Sequence, residues 1–234
     1  MPSILSSPVS AHHAAAADAF AAKGYALVAD FVSPEIAALA YRYGRMLVRA
    51  GGTNKETRSG SIAPGSQSCY ADPLTEALLE ASQPLVETIV RRPLWPTYSF
   101  CRLYHEGNGL TRHLDRPSCE YSVSICLGRD FSNLAEREPD YVWPLFANGE
   151  AVGGAVGSAV VYRGFDVEHW REPLRGREQF QTFLHYVDRE GDWADCRYDF
   201  RPWIGAARQL RSEAQERAVT QRWRSRLPGS PEPA

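Results

Sequence analysis

From Leu94 onward the sequence loses its helical period and shows no convincing helix again before Asp188. Residues 98–104, 121–127, 155–162 and 180–187 are short runs rich in β-branched and aromatic side chains. Each is bounded by Gly, Pro or charged residues, which is the pattern of strands. Residues 143–146 offer a fifth candidate strand inside a long excursion from 128 to 154. A second half built this way folds as a β barrel or sandwich.

Helical signals lie before that point. Residues 12–23 form an Ala-rich helix stopped by Gly24, a residue suited to a left-handed cap. Residues 25–31 alternate as a strand, and Ser33-Pro34-Glu35 supplies an N-cap, a first-turn proline and a first-turn acid for a helix to about Val48. Residues 51–73 are polar and rich in Gly, Ser and Thr, and a structureless stretch of that length is expected to be a lid or substrate-contacting loop. Apolar spacing over 74–91 predicts a helix interrupted or bent near Pro84. Residues 1–10 are expected to fray, and 206–224 to close the chain as an Arg-rich helix. At 234 residues a single domain is expected, with helical support and lid over 1–93, a β core over 94–188 and an extension over 189–234.

A net charge of −2 gives no global attraction to nucleic acid or anionic membrane. No stretch reads as a signal peptide or a transmembrane helix. The five cysteines are scattered, odd in number and without a C-x-x-C pair, which argues against a disulfide framework and a thiolate zinc site and fits a reducing cytoplasm.

Two residues, His113 and Asp115, stand two apart beside the second strand run, so an extended chain would point both to one face. By itself this is weak: six histidines and 28 acidic residues give roughly 0.7 His-x-Asp/Glu pairs by random placement. The context adds weight. Tyr104-x-x-Gly107 precedes the pair, and a later strand run delivers His169 ahead of Pro173 and Gly176. Two imidazoles and one carboxylate suit Fe(II) and leave coordination positions open.

This ordered set, over roughly 98–187, resembles the iron(II)/2-oxoglutarate-dependent oxygenases, closest to the prolyl-4-hydroxylase-like subgroup. The resemblance implies an α+β fold with a mainly β core, a double-stranded β-helix (a jelly-roll or cupin-like barrel) with supporting N-terminal helices. It implies Fe(II) held by His113, Asp115 and His169, with 2-oxoglutarate and O2 as cosubstrates. It further implies hydroxylation of an unactivated C–H of a small molecule, amino acid derivative or peptide, with release of succinate and CO2. Related halogenases have Gly or Ala at the carboxylate position, so Asp115 favours hydroxylation.

By the same resemblance Tyr104 supplies a hydroxyl to the distal carboxylate of 2-oxoglutarate, which also needs a buried cation. The usual cation position, ten residues after the distal histidine, is Gln179 here. Arg177 and Arg171 rank equally as substitutes, and Arg102 follows them. Each has the competing reading of a solvated surface charge. His105 should point away from the pocket. A hydrogen-bonded core position is expected for His185, packing for Trp143, Trp170, Cys119 and Cys126, and solvation for Arg116. The basic run 208–226 reads as a solvated helix.

Two other readings stay open. One is a cupin-like metal enzyme that does not use 2-oxoglutarate, favoured by the missing cation. The other is a non-enzymatic β-barrel binding module. Neither the substrate nor the oligomeric state is encoded legibly, and specificity is expected from 51–73 and 128–154.

Overall fold

The computed structural model describes residues 11–57 and 61–206, together with 218, 221 and 222. The expected frayed segment 1–10 lies outside the described residues, as does nearly all of the helix expected over 206–224.

The first half supplies three helices and the edge of a sheet. Helix α1 (Ala11–Lys23) leads to β1 (Tyr25–Val28), shorter than expected because the chain turns at Asp30, whose φ is 50°. Helix α2 (Pro34–Arg49) starts on the Ser33 cap, whose hydroxyl accepts from the Ile36 amide at 3.4 Å. The expected lid is not structureless. It carries β2 (Asn54–Lys55) and β3 (Gln67–Tyr70), an antiparallel pair that extends the sheet through β4. Helix α3 (Pro73–Val90) runs unbroken through Pro84, which is exposed. Its buried face (Leu78, Leu79, Leu85, Val86, Ile89) holds it together across the lost hydrogen bond.

The second half is β structure, as its period demands. The strands are β4 (Leu94–His105), β5 (Leu110–His113), β6 (Tyr121–Asp130), β7 (Leu145–Ala147), β8 (Glu150–Val152), β9 (Ala159–Arg163), β10 (His169–Arg171) and β11 (Glu178–Asp188). Seven strands form a major sheet in the order β1-β9-β6-β11-β4-β3-β2, and four form a minor sheet, β5-β10-β7-β8. Every pairing is antiparallel. Two facing antiparallel sheets of this kind make the double-stranded β-helix.

Alternation along each strand sorts side chains between two layers. Cys101, Leu103, Val123, Ile125, Leu127, Ala159, Val161, Leu184 and Tyr186 face the helices and share one core with Phe20, Ala37, Leu79 and Ile89. Tyr104, Val160, Tyr162 and Phe183 face inward, against Leu110, Leu145 and Ala147 of the minor sheet. Ile125, Leu127 and Leu184 are fully buried, each contributing about 2 kcal/mol. A one-residue slip of β6 would put Ser122, Ser124 and Cys126 against the helices instead, so the register is strongly fixed. Helix α2 lies close on the sheet at Gly44, where a methyl group would sit 2.5 Å from the Phe180 ring.

Past β11 the chain folds back over β4. Arg201 makes a buried ion pair with Glu76 at 2.8 Å. Arg116, expected to be solvated, instead forks onto Asp199 at 2.8 and 3.0 Å.

Asp72 ties two helices at once. It caps α3 through the Leu74 and Thr75 amides, and its other oxygen accepts from Tyr43 of α2 at 2.5 Å. Asp72→Ala is therefore expected to lower stability by about 2 kcal/mol, read as a lower urea midpoint with unchanged slope.

Candidate metal centre

The minor sheet brings the two histidines together. β10 pairs with β5 so that His169 stands directly opposite His113, and cross-strand partners on one face are in contact. Their ring centroids are 4.3 Å apart. Asp115 reaches them by a different route from the alternation expected. It lies in the loop beyond β5, and its amide donates to the Gly164 carbonyl at 2.8 Å. A side chain at position 164 would meet the Cys119 carbonyl at 2.1 Å and Asp115 Oδ2 at 2.7 Å. Only glycine leaves the carboxylate room there.

Backbone carbonyls orient both imidazoles. His113 Nδ1 is 2.7 Å from the Thr111 carbonyl, and His169 Nδ1 is 2.9 Å from that of Val167. A carbonyl only accepts, so each Nδ1 carries the proton and each Nε2 presents a lone pair. Those lone pairs face Asp115 Oδ1 from 3.6 and 3.7 Å, and all three ligand atoms lie within 4.8 Å of one another. The second carboxylate oxygen is already engaged: Ser122 Oγ donates to Asp115 Oδ2 at 3.0 Å and contacts His185 Nδ1 at 2.9 Å. A relay from His185 through Ser122 to Asp115 satisfies all three groups and fixes the carboxylate, as supports of metal ligands do.

Burial and neighbouring charge pull the groups of the site in different directions. Burial alone would raise the Asp115 carboxyl, but His169, His113 and His185 outweigh it and hold the group at about 2. Burial pushes His169 below the ordinary histidine value and His185 down to about 4. His113 also feels burial, yet the neighbouring Asp115 carboxylate carries it above the ordinary histidine value. A second cluster, Asp115, Cys119 and His185, shares the same carboxylate. Burial keeps the Cys119 thiol protonated, far above the ordinary thiol range, and it contacts the Tyr98 hydroxyl at 3.1 Å. That set lacks a thiolate, and the His113–Asp115–His169 set is the better metal site.

A cavity of about 170 Å³ opens on the trio, with Tyr98, Phe100, Arg102, Leu110, Phe183 and His185 among its walls. Ile62 also lines it. The Ile62 carbonyl accepts from the Thr111 amide at 2.7 Å, so the segment between β2 and β3 docks next to His113.

The candidate anchors separate cleanly. Arg177 is exposed: β11 begins at Glu178, so the strand face assumed for Arg177 does not extend to it. It cannot serve the cavity. Arg171 is 4% exposed, two residues beyond His169 and on the same inward face of β10. Its guanidinium donates to the Trp143 carbonyl at 2.7 Å and to Ser124 Oγ at 3.2 Å, while Nε has no partner. It lines a smaller cleft with Gln179 and Gln181. Tyr104 is fully buried, and its hydroxyl accepts from Arg102 at 3.3 Å. His105 sits at the end of β4 and is absent from the cavity wall. Trp143 packs edge-on against Tyr104, and Trp170 stacks on Phe146.

Ser122, Gly164 and Ile62 were not anticipated as site residues. The alternation of β6 carried a signal for Ser122, a hydroxyl on the face opposite Val123 and Ile125. Gly164 and Ile62 carried none.

No protein-family model and no curated protein matches the sequence. Solved structures do. A prolyl-4-hydroxylase from Pseudomonas putida is 21% identical at a TM-score of 0.59, over 76% of this chain and 99% of its own. A Trichoplax adhaerens prolyl hydroxylase, in complex with a hypoxia inducible factor peptide fragment, is 13% identical at 0.60, over 76% and 90%. A non-haem alpha-ketoglutarate-dependent epimerase from nogalamycin biosynthesis is 14% identical at 0.62, over 86% and 93%. The chain therefore has the fold found in 2-oxoglutarate/Fe(II) oxygenases.

The buried neutral His185 has a consequence for stability. Its folded value of about 4 lies below the ordinary 6.5, so the unfolded chain binds the proton first. Stability is then complete above pH 6.5 and is lost as pH falls toward 4. Asp115, held near 2, contributes no change within that window. The metal-free protein is expected to lose roughly 2–3 kcal/mol between pH 7 and 4.5 through His185. Urea titrations at both pH values should show this loss shrinking in His185→Gln.

Proposed function

We propose that the chain is an Fe(II)- and 2-oxoglutarate-dependent hydroxylase acting on a small molecule or peptide, as one domain in the cytoplasm. The observation that carries this reading is the His113–Asp115–His169 trio, with its ligand atoms converging on one point at the end of a cavity. The donor set suits iron: two neutral imidazoles and a carboxylate, on one side of the site, leave the cavity side free for exogenous ligands. With 2-oxoglutarate and O2, bound iron would supply the overall conversion of a C–H bond to C–OH, releasing succinate and CO2.

The protein's own groups are arranged for that chemistry. Thr111 and Val167 hold the imidazoles in the ligating tautomer, and Ser122 holds the carboxylate. Arg171 and Tyr104 would hold the distal carboxylate of 2-oxoglutarate. Arg171 is a buried guanidinium with no acidic partner among the described residues, and its Nε lacks any partner. A buried cation without an anion is costly, and a dicarboxylate cosubstrate removes that cost. This observation favours a 2-oxoglutarate enzyme over a barrel metalloenzyme without one. Phe100, Leu110, Tyr162 and Phe183 keep the cavity largely apolar, which limits water next to the reacting C–H bond. Among the described residues no helix is long and apolar enough to cross a membrane, and the five cysteines are free, in keeping with a reducing compartment.

Anaerobic titration tests the reading. Fe(II) followed by 2-oxoglutarate should produce a visible metal-to-ligand charge-transfer band in the wild-type protein. His169→Ala should show neither the band nor iron-dependent succinate release. Arg171→Gln should need at least about tenfold more 2-oxoglutarate to develop the band. A wild-type protein that binds iron but shows no band would instead be a metalloenzyme of another kind.

A further inference from the structure

The cavity beside the trio has a cation of its own that the cosubstrate assignment leaves unused. Arg102, on β4, has a side chain 7% exposed and lines the cavity together with His113, Asp115 and His169. Of its five N–H donors, one meets the Tyr104 hydroxyl at 3.3 Å, and Nε meets nothing. Its nearest acid, Glu56 of the lid segment, stands 3.7 Å off, beyond hydrogen-bonding distance. Glu56 is committed elsewhere, since its two oxygens accept from Ser68 at 2.6 Å and Ser61 at 3.1 Å.

We propose that Arg102 receives the carboxylate of the substrate, so that the enzyme's substrates are monocarboxylic acids with an apolar or aromatic body. The inference rests on the oxygenase reading, and it says which chemistry the site selects. A guanidinium with free donors in a largely buried setting matches a planar carboxylate. Beyond Arg102 and the trio, the wall is Ile62, Tyr98, Phe100, Leu110, Tyr162, Phe183 and His185; its mainly apolar and aromatic character fits a hydrocarbon or aryl group, and it offers no second guanidinium or ammonium. One guanidinium, partly offset by Glu56, balances a monoanion and not a phosphate dianion. Glu56 belongs to the lid segment, so the lid supplies the counter-charge that a substrate carboxylate would displace.

The same chemistry could come from the distal carboxylate of 2-oxoglutarate, and the test separates the two sources. Phenylacetate, 3-phenylpropionate and hexanoate are each compared with their primary amides by calorimetry on the full-length protein. At least one carboxylate is expected to bind wild type about tenfold more tightly than its amide. That preference should fall to about twofold or less in Arg102→Gln and partly return in Arg102→Lys. In parallel, the charge-transfer titration of Arg102→Gln should give a 2-oxoglutarate affinity within about threefold of wild type, unlike Arg171→Gln. The proposal is overturned if no carboxylate outbinds its amide on wild type. It is equally overturned if Arg102→Gln weakens 2-oxoglutarate as much as Arg171→Gln does. Should Arg102→Gln not fold, Glu56→Gln decides, since removing the competing charge should tighten the carboxylate and unchanged or weaker binding would refute the idea. The calorimetry needs neither iron nor 2-oxoglutarate, so carboxylate binding at Arg102 is read separately from a missing charge-transfer band, which would sink the oxygenase reading on which the proposal rests.

Discussion

The antiparallel pairing of β10 with β5 is the constraint on which the candidate centre depends. It sets His169 opposite His113 by backbone register, so the distance between the imidazoles does not rely on side-chain packing. Everything else at the site is hung on that pairing. The carbonyls of Thr111 and Val167, two residues before each histidine, select the ligating tautomer. The Asp115 amide ties the third ligand to Gly164, just past β9 of the major sheet. The trio therefore bridges the two sheets, and relative movement of the sheets would open it. Metal binding should in turn clamp them.

The two faces of the major sheet divide the energetic work. The outer face is apolar and welded to the three helices, and its buried aliphatic side chains supply the stabilisation. The inner face carries Ser122, Ser124, Gln179, Gln181, Arg102 and His185, all buried or nearly so. Interior polar groups cost stability unless each finds a partner. Several have one, as in the relay from His185 to Asp115. Arg102 Nε, Arg171 Nε and Gln181 Oε1 do not. Their orphan atoms cluster in the barrel interior, where ligands would complete them.

Sequence patterning revealed the long elements and concealed the short ones. β4, β6, β9 and β11 were legible because each repeats its alternation over several residues. β2, β3, β5, β8 and β10 are two to four residues long, too few for a period to show. The candidate trio was nonetheless readable, because two imidazoles and a carboxylate follow the strand runs in the order that the resemblance implies. The spatial logic was less so. His113 and Asp115 were expected to converge through strand alternation, whereas β5 ends at His113 and a loop delivers the carboxylate. Pro84 was expected to interrupt or bend α3; it does not interrupt the helix, because tertiary packing along the buried face carries it through.

The arginines show most sharply why spacing alone cannot assign a charge. Arg177 and Arg171 were equal candidates on the sequence, each a plausible distance from His169. The deciding fact is where β11 begins. With Glu178 as its first residue, Arg177 falls in the connecting turn and faces solvent. Arg171 shares a strand and a face with His169 and is committed to the interior from the outset. The cation position usual in the resembled oxygenases corresponds to Gln179, which lines the same cleft as Arg171. If Arg171 serves as that cation, the guanidinium comes from the opposite sheet and stands beside the neutral amide, so the charge is relocated and not lost. Spacing along β11 cannot reveal a charge that is supplied by a strand of the other sheet.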